Sequence, residues 1–172
     1  MKQVIVVPYD IKWKTDFIKI KGELLKVLKD LIIGIEHVGS TAVEGLSSKP
    51  CIDIDIIIKD YSNFAEVRTS LESIGYIYEG DLGIQDRIAF TYIDKPHLQK
   101  HHLYVCPIYS VELKRHLKFR DYLRTNASAR LKYEQTKIEA SHLFPNDIDK
   151  YIEYKSPCIE ELYKKCGLIK GK

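Results

Sequence analysis

Cys51-Ile52-Asp53-Ile54-Asp55-Ile56-Ile57-Ile58 alternates carboxylates with branched aliphatic side chains. Successive side chains of a strand point to opposite faces. Ile52, Ile54, Ile56 and Ile58 then share one face, which must be core, and Asp53 and Asp55 share the other. Two carboxylates so close repel and resist burial unless positive charge sits between them. A divalent cation answers that need, and Mg²⁺ takes one or two carboxylates together with water and substrate phosphates. The plain alternative is an exposed strand face on which two aspartates happen to fall.

Upstream lies His37-Val38-Gly39-Ser40-Thr41. A turn of small residues after a strand lets backbone N–H groups approach a phosphate, and a following helix terminus adds a favourable dipole. Most Gly-Ser turns are only turns. This one gains weight from its spacing, with twelve residues between Ser40 and Asp53.

The elements that must position these residues can be read from periodicity. Val4–Val7 is a short β-branched run stopped by Pro8. Asp10 can cap a helix reaching about residue 30, with apolar residues from Trp13 to Leu31 at spacings of three and four. Gly34 breaks it, and Ile35–Val38 runs as a strand into the Gly-Ser turn. Pro50 precedes the strand Cys51–Ile58. A helix from Ser62 or Asn63 ends at Gly75, a C-terminal cap. Tyr76–Tyr78, Arg87–Asp94 and His101–Cys106 are further strands. Helices then run from Ser110 to about Thr125, from Ser128 to Leu143, and onward from Asp147, with Pro157 expected to kink or split the last. Strands grouped first and helices after predict an α+β fold, with an α/β core over residues 1–108 and a helical extension over 109–172 packed on it.

This framework sorts the remaining candidates. Leu103 and Val105 should face the core, so His102 and Tyr104 face the aspartates. Neutral imidazole suits zinc, manganese or iron better than magnesium; a hydrogen-bonded structural histidine is the alternative. The paired His101 must point the other way. Leu113, Leu117, Arg120, Leu123 and Arg124 form one stripe of a helix, where two arginines need partners. They either reach a phosphate, bidentate binding being the strength of arginine, or tie the helix to the sheet in a pair such as Arg–Asp121. Lys49, Arg87 and Lys155 are further cations able to neutralise phosphates, though a solvated surface is the commoner place for each. Tyr151 and Tyr154 either stack on a base or pack as core and rim residues.

A hydrophobic residue, Gly-Ser, a dozen residues, then Asp-hydrophobic-Asp-hydrophobic resembles the nucleotidyltransferase superfamily signature. The resemblance implies that the Gly-Ser turn holds a triphosphate and the aspartates hold metal, with a third carboxylate usually supplied by a neighbouring strand. Here His102 stands in that region. The resemblance narrows along nearly the whole chain. Pro8-Tyr9-Asp10 with Trp13, Glu36-His37-Val38-Gly39-Ser40-Thr41-Ala42-Val43, Gly45-Leu46, Lys49-Pro50-Cys51-Ile52-Asp53-Ile54, His102-Leu103-Tyr104-Val105 and Leu117–Arg124 are similar to the GrpB family. Many members carry proline where this chain has Glu44. The implied fold is a nucleotidyltransferase-like mixed sheet with helices on one face and a C-terminal helical extension that closes over the aspartates.

The resulting expectation is a nucleotidyl group passed from a nucleoside triphosphate to a small-molecule or protein acceptor. Asp53 and Asp55 would be catalytic and, with His102, metal-binding. Gly39, Ser40, Thr41, Lys49, Arg87, Arg120 and Arg124 would bind the nucleotide. The cofactor would be Mg²⁺ or Mn²⁺, with Zn²⁺ if His102 ligates. A non-catalytic module that binds nucleotide or metal is the main alternative. Metal-dependent hydrolysis involving His102 is a third.

Composition narrows the partners. The 172 residues hold 27 basic and 24 acidic side chains, a net charge of +3. That balance gives no clustered nucleic-acid footprint. No run approaches the ~20 apolar residues of a membrane span, and the N-terminal apolar run is too short for a signal peptide. Four cysteines without C-x-x-C spacing read as free thiols of a reducing compartment, so the chain is expected in the cytoplasm.

Overall fold

The computed structural model describes residues 3–169. Helix α1 (Lys12–Leu28) begins where the Asp10 carboxylate accepts the Lys12 N–H at 2.9 Å, and it buries Trp13, Ile20, Leu24 and Leu28. Strand β1 (Gly34–Val38) leads into a single 3-10 turn, Ser40–Ala42, before β2 (Ile52–Ile58). Helix α2 (Phe64–Ser73) ends at Gly75, whose φ of 89° is the left-handed conformation a C-terminal cap requires. Strands β3 (Ile77–Gly80), β4 (Ile88–Thr91) and β5 (His101–Pro107) follow, then helices α3 (Val111–Thr125), α4 (Ala127–Leu143) and α5 (Ile148–Lys165). Ser110, Asn126 and Asp147 cap these three helices, each side chain accepting a backbone N–H of the first turn.

The fold is α+β. One mixed sheet has the order β1-β2-β5-β4-β3, with β2 and β5 parallel and the other neighbours antiparallel. The isoleucine alternation of β2 sets its orientation. Ile52, Ile54, Ile56 and Ile58 pack with Leu103 and Val105 of β5 against Trp13, Ile20, Leu24 and Leu28 of α1 and Val67 and Leu71 of α2. On the opposite face Ile57 and Cys106 meet Leu113 of α3. A third cluster joins Val43 and Leu46, from the loop after β1, to Leu123, Tyr133, Cys158 and Leu162 of the last three helices. The loop between β1 and β2 is thereby held against α3, α4 and α5.

The structure departs from the sequence reading in three places. Val4–Val7 does not form a strand: Val7 makes one isolated bridge to Ser48, while Val4 donates to the Pro145 carbonyl at 2.7 Å and packs with Ala140 and Tyr151. The run is drawn to the α4–α5 surface rather than to a sheet edge. Tyr76 turns inward instead of opening β3, because its hydroxyl meets His101 Nε2 at 2.7 Å in the core. Helix α5 runs unbroken through Pro157. Proline removes one hydrogen bond there, but Tyr151 before it and Cys158 and Leu162 after it are all buried, so packing holds both halves. The four cysteines are free thiols, two of them buried. Among the described residues no helix is long and apolar enough to cross a membrane.

Candidate active site

The register of β2 on β5 places Asp53 opposite His102 and Asp55 opposite Tyr104. Asp53 Oδ1 accepts from His102 Nδ1 at 2.9 Å. Asp55, with no solvent exposure, accepts at Oδ2 from His116 Nδ1 of α3 at 2.7 Å. Its other oxygen, Oδ1, is buried and has no hydrogen-bond partner among the described residues. Each aspartate therefore has an imidazole on one oxygen, and the more buried one keeps an unsatisfied oxygen.

Burial pushes the Asp55 carboxyl above the usual carboxylate range, with the His116 contact working against it. Burial also acts against the His116 imidazolium, but Asp55, with Glu112 behind it, outweighs burial and raises its pKa. His102 is raised by its bond to Asp53 and by the Cys51 thiol. Each imidazole thus sits where its positive form would offset the carboxylate it contacts.

Gly39 has φ 72°, and a Cβ built there would come within 3.0 Å of Asp53 Cγ. Only glycine permits both the left-handed backbone and this approach. The turn is braced from below. Thr41, buried, donates to the Cys51 carbonyl at 3.4 Å and shares a 2.9 Å hydrogen bond with His37 Nε2. Burial holds His37 down to about 4, so it is neutral, and its ring stacks on Phe17 with centroids 4.8 Å apart.

A cavity of about 350 Å³ opens over this turn, and Gly39, Ser40, Thr41, Lys49, Asp53, His102 and Arg120 all line it. The remaining predicted residues lie elsewhere. Asp55 does not line it. Arg87 stacks on the Tyr104 ring at 4.5 Å, with its Nε buried and unpartnered among the described residues. Arg124 donates twice to the Ala42 carbonyl, at 3.0 and 2.8 Å, and so secures the end of the 3-10 turn. Arg120 is chiefly a tie: Nη1 reaches Glu36 at 2.6 Å and the His37 carbonyl at 3.0 Å, and Nε reaches Asp121 at 2.8 Å. Lys155 and Tyr151 join the lining, whereas Tyr154 packs on Phe144. Glu44 makes an exposed ion pair with Lys14 at 2.7 Å, a contact of small energetic weight. A larger groove of about 940 Å³ beside α3 contains none of the predicted site residues.

Three residues of the site escaped the sequence reading: His116, Tyr133 and Lys137. His116 follows Leu113 by three and precedes Arg120 by four, so it belongs to the same helical stripe as those two. That spacing was the available signal. Tyr133 and Lys137 are buried on α4, four residues apart, in a helix whose apolar pattern is too weak to single them out. Burial pushes the Tyr133 phenol up, with Ser40 opposing it. Tyr133 of α4 and Ser40 of the turn line the same cavity.

A nucleotidyltransferase, the Cid1 poly(U) polymerase with MgGTP bound, matches at TM-score 0.54 and 9% identity, over 81% of this chain and 44% of that one. At that identity the likeness concerns the fold alone, which is nucleotidyltransferase-like. The crystal structure of conserved protein GrpB from Enterococcus faecalis matches at TM-score 0.79 and 31% identity, over 94% of this chain and 98% of that one. Glutamate-rich protein GrpB of Alkalihalophilus pseudofirmus is 31% identical over 93% of this chain and 94% of its own length. The UPF0157 protein YqkA of Bacillus subtilis is 29% identical over 92% of this chain, which spans only 46% of that longer relative. The family model described as GrpB protein matches residues 3–165, and the chain belongs to the GrpB family.

Proposed function

We propose that this protein transfers a nucleotidyl group from a nucleoside triphosphate to a small-molecule or protein acceptor, with Mg²⁺ or Mn²⁺ held by Asp53 and Asp55. The observation that carries this reading is the unsatisfied Oδ1 of Asp55 beside a carboxylate whose approach to the turn requires Gly39. A buried carboxylate oxygen without a donor is costly to the fold, and a hard divalent cation is a fitting partner for it. Among the described residues no cluster of three or more His, Cys, Asp or Glu side chains is arranged to hold a metal. A two-carboxylate site completed by substrate phosphates suits Mg²⁺; Zn²⁺ would require the remaining ring nitrogen of His102.

When bound, the cation would neutralise charge on the transferring phosphoryl group and support an in-line displacement. The chain supplies the rest. Backbone N–H groups at Gly39 and Ser40 orient the phosphates. His102 and His116 fix the two carboxylates in place. Lys49 and Lys155 offset phosphate charge, and Phe119, Ile159 and Tyr163 help to keep water from the cavity.

Binding without turnover is the second reading, favoured by the imidazole already seated on each carboxylate. Thermal unfolding against a nucleotide panel with Mg²⁺ or Mn²⁺, followed by assay of pyrophosphate release and product mass, separates the two. A ligand at a hundredfold its Kd stabilises by about 2.7 kcal/mol. Transfer predicts a metal-dependent shift with at least one nucleotide, abolished in Asp53→Asn/Asp55→Asn, together with a nucleotidylated product. The same shift without product supports the binding module. A shift unaffected by the double substitution would remove the aspartates from either role.

A further inference from the structure

The cavity also gathers three lysines from three separate segments. Lys137 of α4 is 2% exposed, with Nζ 3.3 Å from Ser48 Oγ and 4.7 Å from the Tyr133 ring centroid. Lys155 of α5 and Lys49, just before β2, both lean on the Tyr151 ring, at 4.2 and 5.5 Å. All three line the same cavity. Among the described residues none of them forms an ion pair. Glu134, the carboxylate that acts most on Lys137, is engaged by the Ser47 N–H at 2.8 Å.

Lysine is almost never fully buried without a partner, and three ammonium groups in one cavity repel. Burial holds Lys137 down to about 7, with Lys155 and Lys49 adding to the effect, and burial with Lys49 holds Lys155 down to about 8. Packing alone would be better served by methionine or leucine at 137. What offsets such a cluster is an anion that brings its own charge. Three ammonium groups facing one cavity can offset more charge than one phosphate group carries, about −2 at most, and lysine serves as a point-charge binder of phosphate oxygens.

We propose that Lys49, Lys137 and Lys155 form a polyanion subsite that takes a compact chain of two or three phosphates, without metal, and discriminates against a single phosphate. Under the transfer reading above, on which this assignment rests, the subsite holds the donor's terminal phosphates. Binding of the bare polyanion stands apart from whether transfer occurs.

The test is calorimetric titration of the full chain with sodium tripolyphosphate and with inorganic phosphate, in EDTA. Tripolyphosphate should bind the wild type at least about tenfold more tightly than phosphate, and Lys137→Met should weaken it by about tenfold or more. Lys155→Gln, at a less buried position, should weaken it in the same direction and guards against a folding defect in the first variant. Asp53→Asn/Asp55→Asn should bind metal-free tripolyphosphate at least as well as wild type. Retained tripolyphosphate binding with no nucleotidyl transfer would leave the subsite standing and remove only the transfer reading. Absence of tripolyphosphate binding, equal affinity for phosphate, or undiminished binding by both folded lysine variants would overturn the proposal.

Discussion

Gly39 and Asp53 occupy adjoining space so tightly that no side chain fits between them: a Cβ on Gly39 would meet the Asp53 carboxylate. Gly39→Ala must therefore displace the turn or the aspartate, and it must also hold alanine at φ 72°. Together these should lower stability by about 1–3 kcal/mol. Urea unfolding measures this loss, and metal-dependent nucleotide binding should fall with it. Unchanged stability and binding would mean that the turn has room the geometry denies.

Among the described residues His116 is the sole hydrogen-bond partner of the buried Asp55 carboxylate. His116→Ala leaves that group with neither oxygen satisfied and should destabilise by about 3 kcal/mol at pH 7. The loss should shrink toward pH 5. Burial already raises the Asp55 pKa, and without the imidazole it rises further, so the carboxyl accepts a proton and sheds the charge that is costly to bury. Urea titrations at the two pH values check the sign. A loss that grows on acidification would contradict it.

Lys137 makes stability depend on alkaline pH. Its folded pKa is lowered to about 7, against about 10.4 in an unfolded chain. Between those values the unfolded state binds more protons, so stability rises with pH. Lys155, lowered to about 8, acts in the same sense. The charges around Lys137 are Lys49 and Lys155 on one side and Glu134 on the other, with Ser48 and Tyr133 in contact. Lys137→Met should raise stability at pH 7 by on the order of 3 kcal/mol and flatten the rise toward pH 9.5. Thermal or urea unfolding across that range gives both quantities.

Arg120 and Arg124 should differ in weight. The Arg120 side chain is 11% exposed and bonds Glu36, Asp121 and the His37 carbonyl, joining α3 to β1; that of Arg124 is 44% exposed and holds one carbonyl. Replacement by alanine should cost about 2–3 kcal/mol at 120 and about 1 kcal/mol at 124. The order, read from urea midpoints, is the point under test. A larger loss at 124 would show the 3-10 turn to be the more critical joint.

What the sequence made legible follows from how local each signal is. The isoleucine alternation fixed the face of β2 and with it the side on which Asp53 and Asp55 stand. Alternation in β5 likewise set His102 toward Asp53 and His101 into the core, where the structure finds them. The dual pull on Arg120 and Arg124 was legible as a choice between phosphate and tie, and the contacts of both are chiefly ties. His116, Tyr133 and Lys137 were not found, because their importance lies in contacts across 61, 93 and 89 residues of sequence, to Asp55, Ser40 and Ser48. No local period marks a lysine whose partners come from a distant loop. The Val4–Val7 run failed for a related reason: β propensity describes a residue that fits a sheet, not one whose sheet has a free edge.

The parallel pairing of β2 with β5 also sets an order of assembly. Parallel neighbours cannot be joined by a tight turn, and here α2, β3 and β4 lie between them. Closing so long a segment carries an entropic cost that only later contacts repay. On a chain emerging from the ribosome, Asp53 waits for β5 and Asp55 for α3 before each gains its imidazole. The lysines of α4 and α5 arrive last. The cavity that Lys137 and Lys155 line is therefore completed only after the carboxylates of β2 and their imidazoles are in place.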